Sequence, residues 1–213
     1  MIRAFGIFNT NIPEDHKMMY GMPFPGDYLL APDGIVRDKR FLPNYEYRPS
    51  ATALALRNAG GAAAENSVEI DAGAFSATVT LSADKCFPGQ ELATALRIRV
   101  KPGWHIYGKP LPGNYRATEL IFESPIVGEQ SIELPAAKPM PLEALGETLP
   151  VYSGSFEGIG SLLLKFPMDA GQVLLSGQIR FQQCSETVCE APQTLPFQLP
   201  LTIEPFMVPT PKK

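Results

Sequence analysis

The sequence predicts a mainly β protein: an immunoglobulin-like β-sandwich over residues 67–205, with a cysteine hairpin near its end and a segment of α/β texture before it. Three observations carry the sandwich. From Phe75 onward apolar and polar residues alternate in short runs, the period-two pattern of half-buried strands. Turn pairs such as Pro88-Gly89 and Pro102-Gly103 punctuate those runs. No convincing helical pattern interrupts them, and the 22 prolines suit a loop-rich β domain with blunted edges.

In chain order, residues 1–8 read as a short strand, followed by a polar loop to Tyr20. Residues 28–31 and 35–42 read as two strands joined by Pro32-Asp33-Gly34, which has hairpin turn chemistry. Ser50 is placed to cap a helix over 51–58 that Gly60-Gly61 would stop. The segment thus runs over 1–60, and the Ala- and Gly-rich residues 61–66 form a linker. In 75–82, Phe75, Ala77, Val79 and Leu81 face inward; Leu92, Leu96, Ile98 and Val100 mark the next strand. Residues 104–107, 118–124, 127–134, 155–166, 173–183 and 195–204 supply the other strands, and 206–213 is a tail. Trp104 reads as a core tryptophan of the sandwich. Its neighbours His105 and Tyr107 point to the opposite face, which leaves His105 open to two readings, site lining or ordinary partial exposure.

Composition narrows the function. The net charge is −4, and no basic run precedes the terminal Lys-Lys, so there is no footprint for nucleic acid. No apolar run approaches the ~20 residues of a membrane span. Residues 1–20 do not resemble a signal peptide, because Asn9, Asn11, Glu14 and Asp15 interrupt any apolar stretch. No metal or other cofactor is expected: beyond the cysteines only His16 and His105 could complete a ligand set. Of three cysteines, Cys86 is expected to be a free thiol.

Chemistry concentrates in residues 178–193, which read as a strand, a tight loop with Cys184 and Cys189, and a return strand. A hairpin could bring the two Cβ atoms to the ~3.5–4.5 Å that a disulfide requires. By alternation Ile179 and Phe181 share one face while Arg180, Gln182 and Cys184 share the other, so Cys184 is expected on the polar, reachable face. Such a short bridge would stabilise the fold by only ~2 kcal/mol, which favours exchange chemistry over bracing. Gln183 and Glu186 join the candidate lining, and Glu186 and Glu190 place negative charge that should raise a nearby thiol pKa.

Two resemblances follow from quoted motifs. Pro25, Tyr28, Leu29, Asp33 and Gly34 match the hairpin in the second half of a thioredoxin-like redoxin of the peroxiredoxin group. That resemblance implies a partial thioredoxin-like α/β segment over 1–60, with Pro25 as a cis-proline or else an ordinary loop proline. No cysteine precedes Cys86, so the half of a redoxin that carries its nucleophile is missing, and the chain is expected to be a fragment of a longer fusion. The second resemblance covers 67–205. Pro102-Gly-Trp-His-Ile-Tyr107, Leu145-Gly-Glu-Thr-Leu-Pro-Val-Tyr152 and Phe181-Gln-Gln-Cys-Ser-Glu-Thr-Val-Cys-Glu-Ala-Pro-Gln193 resemble, in order, the N-terminal domain of DsbD-type thiol:disulfide interchange proteins.

This second resemblance implies an immunoglobulin-like fold with Cys184 and Cys189 as the redox pair. It also implies a site lined by His105 and Tyr107 and a cap loop at Leu145, Gly146, Glu147 and Thr148, with Leu145 or Leu149 replacing an aromatic shield. The expected function is a thiol:disulfide oxidoreductase that relays reducing equivalents to or from thioredoxin-like partners in the periplasm or another extracytoplasmic space, with any export signal upstream. Two alternatives stand beside it: an immunoglobulin-like binding module with a structural hairpin disulfide, and a redoxin fusion fragment whose catalytic half is absent.

Overall fold

In Phe75–Leu81 every second residue, Phe75, Ala77, Val79 and Leu81, is fully buried, as the alternation requires. The same logic builds the rest of the molecule. The computed structural model describes residues 2–42, 47, 66–142, 146–185 and 187–205, and no helix occurs among them.

Two sheets make the sandwich. The first has the order β3 (Asn66–Asp71), β4 (Phe75–Leu81), β6 (Glu91–Val100), β12 (Ser155–Leu164), β9 (Val127–Glu133). The second has β5 (Lys85–Cys86), β15 (Gln193–Ile203), β13 (Gly171–Phe181), β8 (Glu119–Phe122). Phe75, Leu96, Ile98 and Leu162 from one face meet Phe122, Leu175, Ile179, Phe181 and Leu199 from the other. Phe75 and Phe181 pack edge to face at 4.8 Å across the middle. Cys86 lies in a separate cluster with Leu92, Leu164, Leu201 and Ile203.

A third sheet, β10 (Lys138–Leu142), β11 (Glu147–Tyr152), β7 (Trp104–Tyr107), β14 (Gln183–Ser185), adjoins the sandwich. Its inner face puts Ile106, Tyr152 and the half-buried Trp104 against the main core. Its outer face carries His105, Tyr107, Leu149, Val151 and Cys184, which follows from strand alternation and the pairs Val151↔Tyr107 and Cys184↔His105. The hairpin β10–β11 was not expected as strands. Pro139 and Pro141 break the usual signal, but two residues apart they place both missing N–H groups on one side of an edge strand, where proline is tolerated.

The N-terminal segment departs from expectation. Residues 2–8 form turns with one bridge, Phe8↔Pro23, instead of a strand. Strands β1 (Gly26–Leu30) and β2 (Val36–Phe41) do form the expected hairpin, turned by Gly34 at φ 79°. The Phe24–Pro25 bond is trans, the ordinarily favoured isomer, because the cis bonds are Lys109–Pro110 and Phe166–Pro167. Pro25 is therefore a loop proline. The expected helix at 51–58 lies outside the described residues.

The hairpin is fastened to the sandwich by charge. Arg40 Nε donates to both oxygens of Glu91 at 3.0 and 3.2 Å, and Glu91 is buried. Leu42, Asn9 and Ile12 are buried as well. Burial, and then the Glu91 charge, hold the Asp27 carboxyl above its ordinary pKa.

Two outcomes follow. Arg40→Ala strands a buried carboxylate and should lower stability by roughly 1–3 kcal/mol in a denaturant titration; Arg40→Met with Glu91→Leu should recover most of the loss. Asp27 with a raised folded pKa costs stability once it ionises, so Asp27→Asn should raise the melting temperature at neutral pH. That gain should shrink as pH falls toward the ordinary aspartate pKa of about 4.

Candidate redox site

The site begins where β13 ends. Phe181 is the last inward residue of the sandwich strand, and at Gln182 the chain leaves that sheet to enter β14 on the other. Leaving a ladder exposes backbone groups that need partners. The Gln182 side chain supplies two: its Oε1 accepts from Arg116 N at 3.1 Å, and its Nε2 donates to the Glu190 carbonyl at 3.0 Å. Ser185 then turns the chain, its Oγ accepting from the N–H groups of Thr187 and Val188 at 3.3 and 3.1 Å. Glu190 N donates back to the Gln183 carbonyl at 3.0 Å and closes the hairpin.

Cys184 and Cys189 form a disulfide across this hairpin, with Cα atoms 4.2 Å apart. The two sulfurs live in different surroundings. Cys184 is completely buried, packed with Tyr107, Leu149 and Val151 and flanked by Leu111, Tyr115, Met140 and Leu142. Cys189 is exposed, beside the exposed Val188. The expectation of a reachable Cys184 is corrected: it lies on the face opposite Phe181, as alternation requires, but Leu149 and Val151 of β11, with Tyr107, Met140 and Leu142, cover that face.

The Tyr107 hydroxyl stands 3.1 Å from Cys184 Sγ and 3.5 Å from Cys189 Sγ. A disulfide sulfur has no proton, so the hydroxyl is the donor to either. Burial, with smaller contributions from Tyr115 and Glu147, raises the Tyr107 pKa, which keeps it protonated and able to donate. The Tyr115 ring lies 5.3 Å from that of Tyr107 and its hydroxyl donates to Glu147 Oε2 at 3.2 Å. His105 is buried opposite Cys184 and its Nε2 has no partner; burial lowers its pKa, so it is neutral at pH 7.

Gln183 faces away from the sulfurs. Its Nε2 donates to Glu190 Oε2 at 2.7 Å, and Gln193 Nε2 donates to the same oxygen at 2.5 Å. Of the expected cap, Gly146 turns the β10–β11 hairpin at φ 66° and Glu147 and Thr148 are exposed on β11. Leu149 is the member that packs over Cys184. Leu145 and Glu186 lie outside the described residues. Tyr115, Val151 and Gln182 were not anticipated: Tyr115 sits in a loop without periodicity, and a glutamine that bridges two sheets has no local signal. Cys86 is buried in the other cluster, and desolvation, with Glu204 adding, pushes its thiol up to about 12. Among the described residues no group of three or more His, Cys, Asp or Glu side chains could hold a metal ion.

Residues 77–200 match the family model described as thiol:disulfide interchange protein DsbD, N-terminal. No curated protein sequence matches the chain. Among solved structures, the N-terminal periplasmic domain of ScsB from Proteus mirabilis shares 19% identity at a TM-score of 0.48 and covers 65% of this chain. The chain spans about half of that domain, 51% of its length. The Neisseria meningitidis DsbD N-terminal domain in the reduced form shares 17% identity at a TM-score of 0.32, covering 53% of this chain and 82% of its own. These structural likenesses are too distant to argue from, and the family model alone assigns the chain.

Two substitutions probe the geometry. Tyr107→Phe should leave the fold intact and slow reduction of the pair by dithiothreitol about tenfold or more, the loss of a hydrogen bond to developing charge worth ~1.5–3 kcal/mol. Leu149→Ala should speed the same reaction by opening the cover over Cys184, at a stability cost of ~2–5 kcal/mol.

Proposed function

The chain belongs to the family of DsbD N-terminal domains, and from that premise we propose that it is a thiol:disulfide exchange module. It passes reducing equivalents through Cys184 and Cys189 to or from thioredoxin-like partners outside the cytoplasm. The observation that carries this reading is the asymmetry of the bridge: one sulfur is exposed, and the other is buried beneath Tyr107, Leu149 and Val151.

Disulfide exchange needs in-line approach, with the attacking thiolate, the attacked sulfur and the leaving sulfur close to one axis. Cys189 offers that approach from solvent. Cys184 does not, because its far side is protein. A partner thiolate therefore bonds to Cys189 Sγ, the Cys184–Cys189 bond breaks, and the electron pair passes to Cys184 Sγ. The Tyr107 hydroxyl, 3.1 Å away, donates a hydrogen bond to the thiolate formed there. The partner's second thiolate then attacks its own sulfur in the mixed disulfide, releasing Cys189 as a thiolate that water protonates. The partner leaves oxidised and the pair is reduced; delivery to a client runs the same steps in reverse. In this scheme His105 lines the site, Gln183 supports the hairpin from its other face through Glu190, Glu147 holds Tyr115, Thr148 stays on the exposed side of β11, and Leu149 acts as an aliphatic shield.

Serine variants test the assignment. Cys184→Ser leaves an exposed thiol at 189 and should form a mixed disulfide with a thioredoxin-like donor; Cys189→Ser leaves only the buried thiol and should form it at least ~10-fold more slowly. Equal trapping by both variants would remove the directional mechanism. The double serine variant should stay folded, within ~2 kcal/mol of the parent in denaturant, because the bridge closes so short a loop.

A further inference from the structure

Among the described residues, His105 carries a buried imidazole nitrogen that the fold leaves without a partner, and its position says what it waits for. It sits on β7 directly opposite Cys184 on β14, in cross-strand register. Residues so paired share a face, with Cβ atoms about 4.5–5.5 Å apart. The His105 ring lies 5.9 Å from that of Tyr107, the residue whose hydroxyl touches both sulfurs. Yet Nε2 is buried and makes no hydrogen bond. A polar atom in that condition is uncommon and costs the state that contains it.

In the disulfide form the sulfur opposite cannot serve it well, since a disulfide sulfur has no proton and is a poor acceptor. The apolar cluster around Cys184 includes Tyr115, whose hydroxyl is already bonded to Glu147. Reduction changes this. It converts Cys184 into a thiol that can donate to the imidazole lone pair, or a thiolate that can accept from an imidazole N–H. Either tautomer of His105, directly across the strand pair from Cys184, gains a partner that the oxidised state withholds. The contrast inside this same chain is Cys86, a comparably buried thiol with the Thr202 carbonyl at 3.9 Å, which burial and then the Glu204 charge push up to about 12.

We propose that His105 is a positioning residue for exchange, whose Nε2 is unpaired in the disulfide and pairs with Cys184 Sγ in the dithiol, so that it favours reduction of the bridge. The proposal rests on the exchange reading above. The electron balance is that of ordinary exchange: two electrons and two protons enter the pair from a partner dithiol, and the Cys184–Cys189 bond is the one broken. His105 neither forms nor breaks a covalent bond; it supplies Cys184 with a second polar partner beside Tyr107 as charge arrives.

The test uses the full chain and compares the parent with His105→Phe and His105→Gln in redox equilibrium with dithiothreitol. His105→Phe should shift the equilibrium toward the disulfide by about tenfold, which for this two-electron couple is about 30 mV. His105→Gln keeps an amide donor and should return to within about threefold of the parent. An unchanged equilibrium in His105→Phe, or an equal shift in both variants, overturns the proposal. Should Phe not be accommodated, the parent alone decides: the ¹⁵N resonance of His105 Nε2 should move on reduction of the bridge, and an unmoved resonance overturns the proposal too. Failure of the exchange reading is a separate outcome, seen when the parent itself does not exchange with a thioredoxin-like donor.

Discussion

The site depends on one side chain that lets a strand change sheets. At Gln182 the backbone leaves the ladder of β13 and takes up another in β14, and the Gln182 amide binds both the Arg116 N–H and the Glu190 carbonyl across the gap. Backbone groups at such a break would otherwise be buried without partners, at a cost comparable to a lost hydrogen bond each. With them satisfied, Phe181 stays in the sandwich core while Cys184, three residues on, lies on the outer face of the small sheet. The cysteine hairpin is thus held at a junction of two rigid sheets, which fixes where the sulfurs stand relative to Tyr107 and the β10–β11 cover.

The asymmetry of the bridge follows from the same junction. Cys184 enters on a strand and is enclosed; Cys189 returns on the loop that Ser185 turns, and is exposed. Around the enclosed sulfur Leu149, Val151, Leu111, Met140 and Leu142 form an apolar cluster, the Tyr107 hydroxyl stands at hydrogen-bond distance, and His105 lies opposite in register. The Glu190 carboxylate, one residue past Cys189, is held by Gln183 and Gln193 on the far side of the sheet, which fastens the return of the loop and keeps that charge out of the pocket. A buried sulfur receives charge better from few well-placed donors than from solvent that would also admit stray thiols.

How much of this was legible varied with how local the signal was. The sandwich strands were, because Phe75, Ala77, Val79 and Leu81 alternate and Gly and Pro end the runs. The cysteine motif pointed to a bridged hairpin, and the division of β7 into a core face with Ile106 and a sulfur face with His105 and Tyr107 is visible in its alternation. The burial of Cys184 was not legible, since its cover comes from Leu149, Val151, Met140 and Leu142, which are more than thirty residues away in the sequence. Nor was the β10–β11 hairpin, where prolines hide an edge strand, or the turns at residues 2–8, where Ile7 and Phe8 look strand-like but find only Pro23 to pair with. In the N-terminal segment the hairpin turned by Pro32-Asp33-Gly34 was legible, and of the two readings of Pro25 the loop proline is the one found.

The central claim is that the Cys184–Cys189 bridge is made to be exchanged and not to brace the hairpin. The reduction potential of the parent chain, set by equilibrium with glutathione and read by mass after alkylation, tests it most directly. An exchange module should have a potential above about −300 mV, where thioredoxin-like proteins can both reduce it and be reduced by it. A potential well below about −300 mV would mark a structural disulfide and contradict the account.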